Sequence, residues 1–137
     1  MNKLFLDTNV VVDFLCEREG FYLPAARIMV KGYNKEVELY CSSLTFATAS
    51  YLMERSKVSS EEISRKLSDF LTICQPTAIN REVIEDALAS RFKDFEDALQ
   101  YFSAKRSGID LIVTRNQDDF VETEIPTCTP LEYLALM

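Results

Sequence analysis

The chain has 137 residues, 47% of them hydrophobic and 27% charged, which supplies enough apolar side chain for the core of one domain. It contains no histidine, so His-based triads, HExxH zinc sites and any imidazole proton shuttle are excluded. Its 22 acids against 15 bases give a net charge of −7, which argues against a protein that coats duplex DNA or an anionic membrane by bulk electrostatics.

Lys3-Leu4-Phe5-Leu6 is a short, mostly apolar run that reads as a first strand, and Val37-Glu38-Leu39-Tyr40-Cys41 alternates as a second. Ile63, Leu67, Phe70 and Leu71 recur at helical spacing, and a weaker strand signal follows at Ile73-Cys74. Phe95, Ala98, Leu99 and Phe102 fall at i, i+3, i+4 and i+7, predicting a helix that Gly108 would cap. Asp110-Leu111-Ile112-Val113-Thr114 is nearly all apolar, as a strand buried on both faces requires, and Thr127-Cys128 is a further weak strand. Thr129-Pro130-Leu131-Glu132 combines a Thr cap, Pro at the first helical position and Glu at the third, so a short final helix is expected.

Strands alternating with helices predict an α/β fold, a three-layer sandwich around a central parallel sheet of four to five strands. No linker, repeat or low-complexity segment divides residues 1–137, which predicts a single domain. Cys16, Cys41, Cys74 and Cys128 are widely spaced and form no CxxC pair, so they read as reduced core residues of a cytoplasmic protein. No apolar run approaches the roughly 20 residues of a membrane span, and neither a membrane nor a secretory assignment is expected.

In open α/β sheets, ligands gather at the carboxyl ends of the parallel strands. Asp7 directly follows the first strand, Asp119 lies a few residues past the Ile112 strand, and Asp94 and Asp97 open the helix that leads into that strand. Carboxylates gathered there could hold Mg²⁺ or Mn²⁺, with waters completing the coordination shell, and so orient a water against a phosphodiester. Each acid also has a plainer reading. Asp94 with Asp97 is an acidic helix start, Asp7-Thr8-Asn9 is a turn leaving a strand, and Asp118-Asp119 is a solvated loop. Among nearby bases, Arg115 is the expected phosphate contact, whereas Lys105 and Arg106 complement a helix end. Phe92, Phe95, Tyr101, Phe102 and Phe120 could stack bases, but their helical spacing favours core packing for most of them.

Leu6-Asp7-Thr8-Asn9-Val10, Asp94-Phe95-Glu96-Asp97-Ala98-Leu99 and Thr114-Arg115-Asn116-Gln117-Asp118-Asp119-Phe120, in this order, resemble the motifs of PIN-domain proteins, especially the small toxin ribonucleases of the VapC type. The resemblance extends over essentially the whole chain. It implies a PIN-like fold, a Mg²⁺ or Mn²⁺ cofactor, an RNA substrate, an antitoxin partner and a homodimer. Carried over by position, it gives Asp7, Asp97 and Asp119 as catalytic, metal-binding acids, with Asn9, Asp94 and Asn116 supporting them. Glu96 is left out, because helical spacing turns it away from Asp94 and Asp97.

One position departs from the family. Where a Ser-x-x-Thr-x-Ala-Glu pattern is usual, this chain reads Ser42-Ser43-Leu44-Thr45-Phe46-Ala47-Thr48, so Thr48 stands in the place of the glutamate as a supporting residue. A hydroxyl is a poorer partner than a carboxylate for a hard cation. Two functions follow: a metal-dependent endoribonuclease, and a PIN-like module that binds RNA or protein without cleaving. A phosphatase or phosphoacceptor domain fits less well, because Asn9 stands where the former needs its second acid and no strand-end lysine serves the latter.

Overall fold

Leu4 and Leu6 point to one side of a parallel sheet and Phe5 to the other, and helices cover both sides. The computed structural model describes residues 1–120 and 123–136. Its strands are β1 (Lys3–Leu6), β2 (Glu38–Ser42), β3 (Cys74–Thr77), β4 (Leu111–Val113) and β5 (Thr127–Cys128). They lie in the order β3-β2-β1-β4-β5, and every neighbouring pair is parallel. The helices are α1 (Thr8–Leu15), α2 (Tyr22–Tyr33), α3 (Ser43–Arg55), α4 (Ser60–Leu71), α5 (Arg81–Leu88), α6 (Phe95–Arg106) and α7 (Pro130–Ala135). The three-layer α/β/α arrangement expected from the alternation of elements is therefore present.

The two sides have separate cores, as the two-residue period of a strand requires. Leu4, Leu6, Leu39, Cys41 and Val113 pack with α1, α2, α3 and α4 on one side. Phe5 and Ile112 pack with Tyr101 and Ala104 of α6 on the other, where α5 meets α6 through Val83, Ala87, Ala98 and Leu99. Because β1 is central and buried on both faces, Leu4, Phe5 and Leu6 are all apolar and fully buried up to Asp7, with Lys3 only at its outer end. The weak signal at Ile73-Cys74 becomes β3, an edge strand, which is where a proline such as Pro76 is tolerated in a sheet.

Local signals account for most boundaries. The final helix starts with the full capping box, Thr129 and Glu132 bonding each other's backbone N–H. Gly108 takes φ +70 one residue beyond the α6 cap at Ser107, the left-handed conformation that ends a helix cheaply only at glycine. All four cysteines are free, and Cys41, Cys74 and Cys128 are buried. Among the described residues no helix is long and apolar enough to cross a membrane.

α1 is the element that runs against propensity. Val10, Val11 and Val12 are β-branched and disfavour helix, yet all three are buried in it because the chain turns at Asp7 and must bury the next turn beneath α2 and α3. Gly32 of α2 lets that helix approach β2: a methyl group there would lie 2.7 Å from Leu39 Cγ. Gly32→Ala is therefore expected to destabilise by about 1 kcal/mol, overpacking outweighing the gain in helix propensity. A urea midpoint equal to or above the parent's would contradict this.

Candidate acidic cleft

The polar residues at the carboxyl edge of β1 and β4 are held by short-range bonds. Asp7 leaves β1 with extended backbone and caps α1, its Oδ1 accepting the Thr8 N–H at 2.8 Å. Its Oδ2 accepts the Thr114 hydroxyl at 2.7 Å and the Asn9 amide at 3.3 Å, so three donors from two elements fix one buried carboxylate. Thr114 Oγ1 in turn accepts the Asn116 N–H, and the Asn116 carbonyl accepts the N–H of Asp119 in the 3-10 turn Gln117–Phe120. Asn9 Oδ1 receives the Arg115 N–H and ties the same loop to α1. The loop carrying Asn116 and Asp119 is thus positioned from Asp7 outward.

The third contributor is α6. Asp94 caps it, its Oδ1 accepting the Asp97 N–H at 3.0 Å, so the plain capping reading of this pair is realised. Asp97 nevertheless faces Asp7 and Asp119 across an open cleft of about 230 Å³, which Asn9 and Asn116 also line. Behind it, Gln100 of α6 bonds Thr8, whose hydroxyl meets Thr45 at 2.9 Å, and Thr45 meets Ser42 at 3.2 Å. This polar thread joins the starts of α1 and α3 to the first turns of α6. It leaves the buried Gln100 Oε1 without a partner among the described residues.

Several placements differ from sequence expectation. Glu96 lines the cleft. It stands one turn before Gln100, and contact between Gln100 and Thr8, invisible to spacing alone, decides which face of α6 looks inward. Arg18 also lines the cleft, whereas Arg115 does not. The Arg115 guanidinium donates to both oxygens of Asp13 at 2.6 and 3.2 Å and stacks over Phe21 at 4.0 Å, so the phosphate contact expected of it is replaced by an internal clamp. Thr48 is half-buried on α3 and absent from the cleft lining, to which that helix contributes the apolar Leu52.

Crowding of carboxylates sets the electrostatics. Burial, followed by the charges of Asp119, Asp7, Asp94 and Glu96, pushes the Asp97 carboxyl up to about 7. Burial also raises Asp7, against the opposing pull of the Thr114 hydroxyl and the Thr8 N–H. An acid whose pKa is higher folded than unfolded favours the folded state while it keeps its proton. The contribution from Asp97 is complete below its ordinary value near 4 and is lost as pH rises through about 7. The cation-free parent is therefore expected to lose more melting temperature between these limits than Asp97→Asn does. Parallel pH profiles in thermal denaturation would rule the effect out.

Carboxylates and amide carbonyls form a donor set of hard oxygens, the chemistry that suits Mg²⁺ or Mn²⁺. Among the described residues no three acids close tightly enough to cage an ion by themselves. The unpartnered Gln100 oxygen beside Thr8 adds to the same excess of acceptors over donors.

These features define an α/β/α domain with an oxygen-lined cleft at the carboxyl edge of its central strands and no imidazole in it. The chain belongs to the PIN domain family, whose profile matches residues 3–118. It is 30% identical to Ribonuclease VapC1 of Aquifex aeolicus (strain VF5) over 139 aligned positions, covering 96% of this chain and 92% of that protein. Its fold matches a toxin-antitoxin complex from Klebsiella pneumoniae with a TM-score of 0.68 at 18% identity, over 93% of this chain and 97% of that one. It also matches Mycobacterium tuberculosis VapC20, described as a Sarcin-Ricin loop cleaving toxin, with a TM-score of 0.65 at 14% identity, over 90% and 98% of the two chains.

Proposed function

We propose that this chain is a divalent-metal-dependent endoribonuclease and the toxin of a toxin–antitoxin pair. The observation that carries the reading is the meeting of Asp7, Asp97 and Asp119 from three separate elements in one cleft, in a chain related along nearly its whole length to a VapC ribonuclease. Asp7, Asp97 and Asp119 would hold Mg²⁺ or Mn²⁺. When bound, the cation supplies an activated water and offsets the charge that develops on the phosphodiester. Asn9 fixes the Asp7 carboxylate and the Arg115 backbone, Asn116 sets the Asp119 turn, and Asp94 holds the first turn of α6. Arg18 stands on the cleft wall, and although one of its nitrogens lies 3.7 Å from Asp13, the rest of its exposed guanidinium would meet a phosphate oxygen. An antitoxin partner, a homodimer and a cytoplasmic site of action belong to the same proposal.

The test is incubation of purified protein with RNA in Mn²⁺, in Mg²⁺ and in EDTA. Cleavage in the first two and none in the third is expected. The second reading, a binding module without cleavage, is favoured by the absence of any acid from α3 at the cleft, where Leu52 stands and Thr48 does not reach. RNA binding without cleavage in any arm would support it. Gain of cleavage in Thr48→Glu would then identify the missing carboxylate as the cause.

A further inference from the structure

A second recess, of about 430 Å³, opens directly beside the acidic cleft and shares Asp97 and Asp119 with it. Its volume lies in the range of small-molecule sites, about 300–1,000 Å³. Its floor is aromatic, formed by Phe92, Tyr101 and Phe102. Phe92 is locked there: its ring lies 5.4 Å from Tyr101 and 6.0 Å from Phe102, centroid to centroid. Its N–H bonds Ser90 Oγ, which itself donates to the Ala87 carbonyl. With Phe92 anchored inward, the residues on either side of it, Arg91 and Lys93, stand exposed at the rim.

The pairing of nearby cations sets these two apart. Arg115 and Arg18 are paired with Asp13, Lys105 with Glu124, and Arg106 with Asp86. Arg91 and Lys93 make no ion pair among the described residues, although the chain carries seven more acids than bases. Of the acids that line the recess, Asp97 and Asp119 also line the acidic cleft, Asp94 caps α6, Glu124 is paired with Lys105, and Asp118 is exposed to solvent. Arg91 and Lys93, without ion-pair partners over an aromatic floor, then offer the contacts that hold single-stranded nucleic acid, phosphate on the charge and base on the ring. Because the recess runs into the acidic cleft, a strand placed with one phosphate at Asp7 and Asp97 has its neighbouring nucleotide in the recess.

We infer that this recess is the subsite for the nucleotide adjoining the cleaved bond of a single-stranded RNA, with Arg91 and Lys93 on its phosphate and the partly exposed rings of Phe92 and Phe102, backed by the buried Tyr101, beneath its base. The inference rests on the nuclease reading for the identity of the bond, but its test does not depend on cleavage. Binding of a labelled single-stranded RNA of about 12 nucleotides is followed by fluorescence anisotropy in EDTA at several salt concentrations. Arg91→Ala/Lys93→Ala is compared with the parent and with Lys31→Ala/Lys35→Asn, which removes the same charge near the opposite edge of the sheet.

The site variant is expected to bind about tenfold more weakly, and the slope of log affinity against log salt should fall in magnitude by about 1.4, two phosphate contacts on a single strand. The control should bind as the parent does. Equal loss in both variants, unchanged affinity in the site variant, or no measurable binding by the parent would overturn the subsite. Cleavage in Mn²⁺, assayed alongside, separates the two claims. A parent that cleaves while the site variant binds normally leaves the nuclease standing without the subsite. A parent that does not cleave, with affinity lost in the site variant, leaves the subsite without the nuclease.

Discussion

Asp7→Asn and Asp97→Asn are each expected to lower RNA cleavage on the order of 10²–10³-fold, the usual effect of removing one group that stabilises developing charge, without lowering the melting temperature at neutral pH. The two halves of this expectation have one cause. Asp7 is a buried carboxylate whose ionisation is opposed by its surroundings, and Asp97 is pushed up to about 7 by burial and by four neighbouring acids. An amide of the same shape relieves that opposition. In Asp7→Asn the Oδ1 contact to the Thr8 N–H survives, so the α1 cap is kept, and relief of the raised carboxyl offsets loss of the Oδ2 acceptor to which Thr114 and Asn9 donate. Stability should therefore hold or rise while the charge that would attract the cation is lost, a trade expected of functional sites rather than structural ones. Cleavage rates and thermal denaturation on the same preparations check both halves. Full activity in either variant would remove that residue from the site, and a large loss of stability would show that its charge serves the fold.

The same electrostatics bear on Thr48. A glutamate from α3 would add another negative charge to a cleft where Asp97 already holds its proton to about pH 7. Without it, Glu96 at the rim restores one carboxylate from a different helix. The site is less crowded than one with both acids, which favours the cation-free protein's stability and would lower the affinity for a cation held there.

Much of the scaffold was legible because strand and cap signals are local. Lys3–Leu6 is β1 to the residue, the apolar run at 110–114 contains β4, and Thr129-Pro130-Leu131-Glu132 begins a helix as its chemistry dictates. The meeting of Asp7, Asp97 and Asp119 was legible too, since each lies just past a strand or opens the helix leading into one. What sequence could not convey depends on tertiary contact. Phe95, which completes the helical period of α6, is exposed, while Gln100 and Tyr101 face inward. That rotation brings Glu96 to the cleft. The valines of α1 are β-branched yet fold as helix because burial outweighs a propensity difference of a few tenths of a kcal/mol per residue. Asp13 left one overlooked signal, a lone acid inside the apolar run Val10-Val11-Val12-Asp13-Phe14-Leu15. Such a charge needs a partner from elsewhere in the fold.

Asp13→Ala is expected to cost about 3 kcal/mol, the low end of what breaking a buried ion pair costs, and to lower the melting temperature by about 10 °C. The Asp13 side chain is 2% exposed, and its two oxygens take the Nε and Nη2 donors of Arg115, with Arg18 at 3.7 Å. Arg115 is partly exposed at 25%, which moderates the penalty for stranding its charge. The pair also has a mechanical role. Arg115 follows Thr114 and precedes Asn116, so anchoring its guanidinium on α1, with Phe21 stacked against it, fixes the loop that carries Asp119. Replacing both partners with apolar side chains, Asp13→Leu/Arg115→Met, should recover much of the stability, because the only charge that loses its partner is the well exposed Arg18. Cleavage should remain low in that double variant if the clamp positions Asp119, and should return with stability if it serves the fold alone. Denaturation midpoints and cleavage rates of the parent, Asp13→Leu, Arg115→Met and the double variant separate these outcomes.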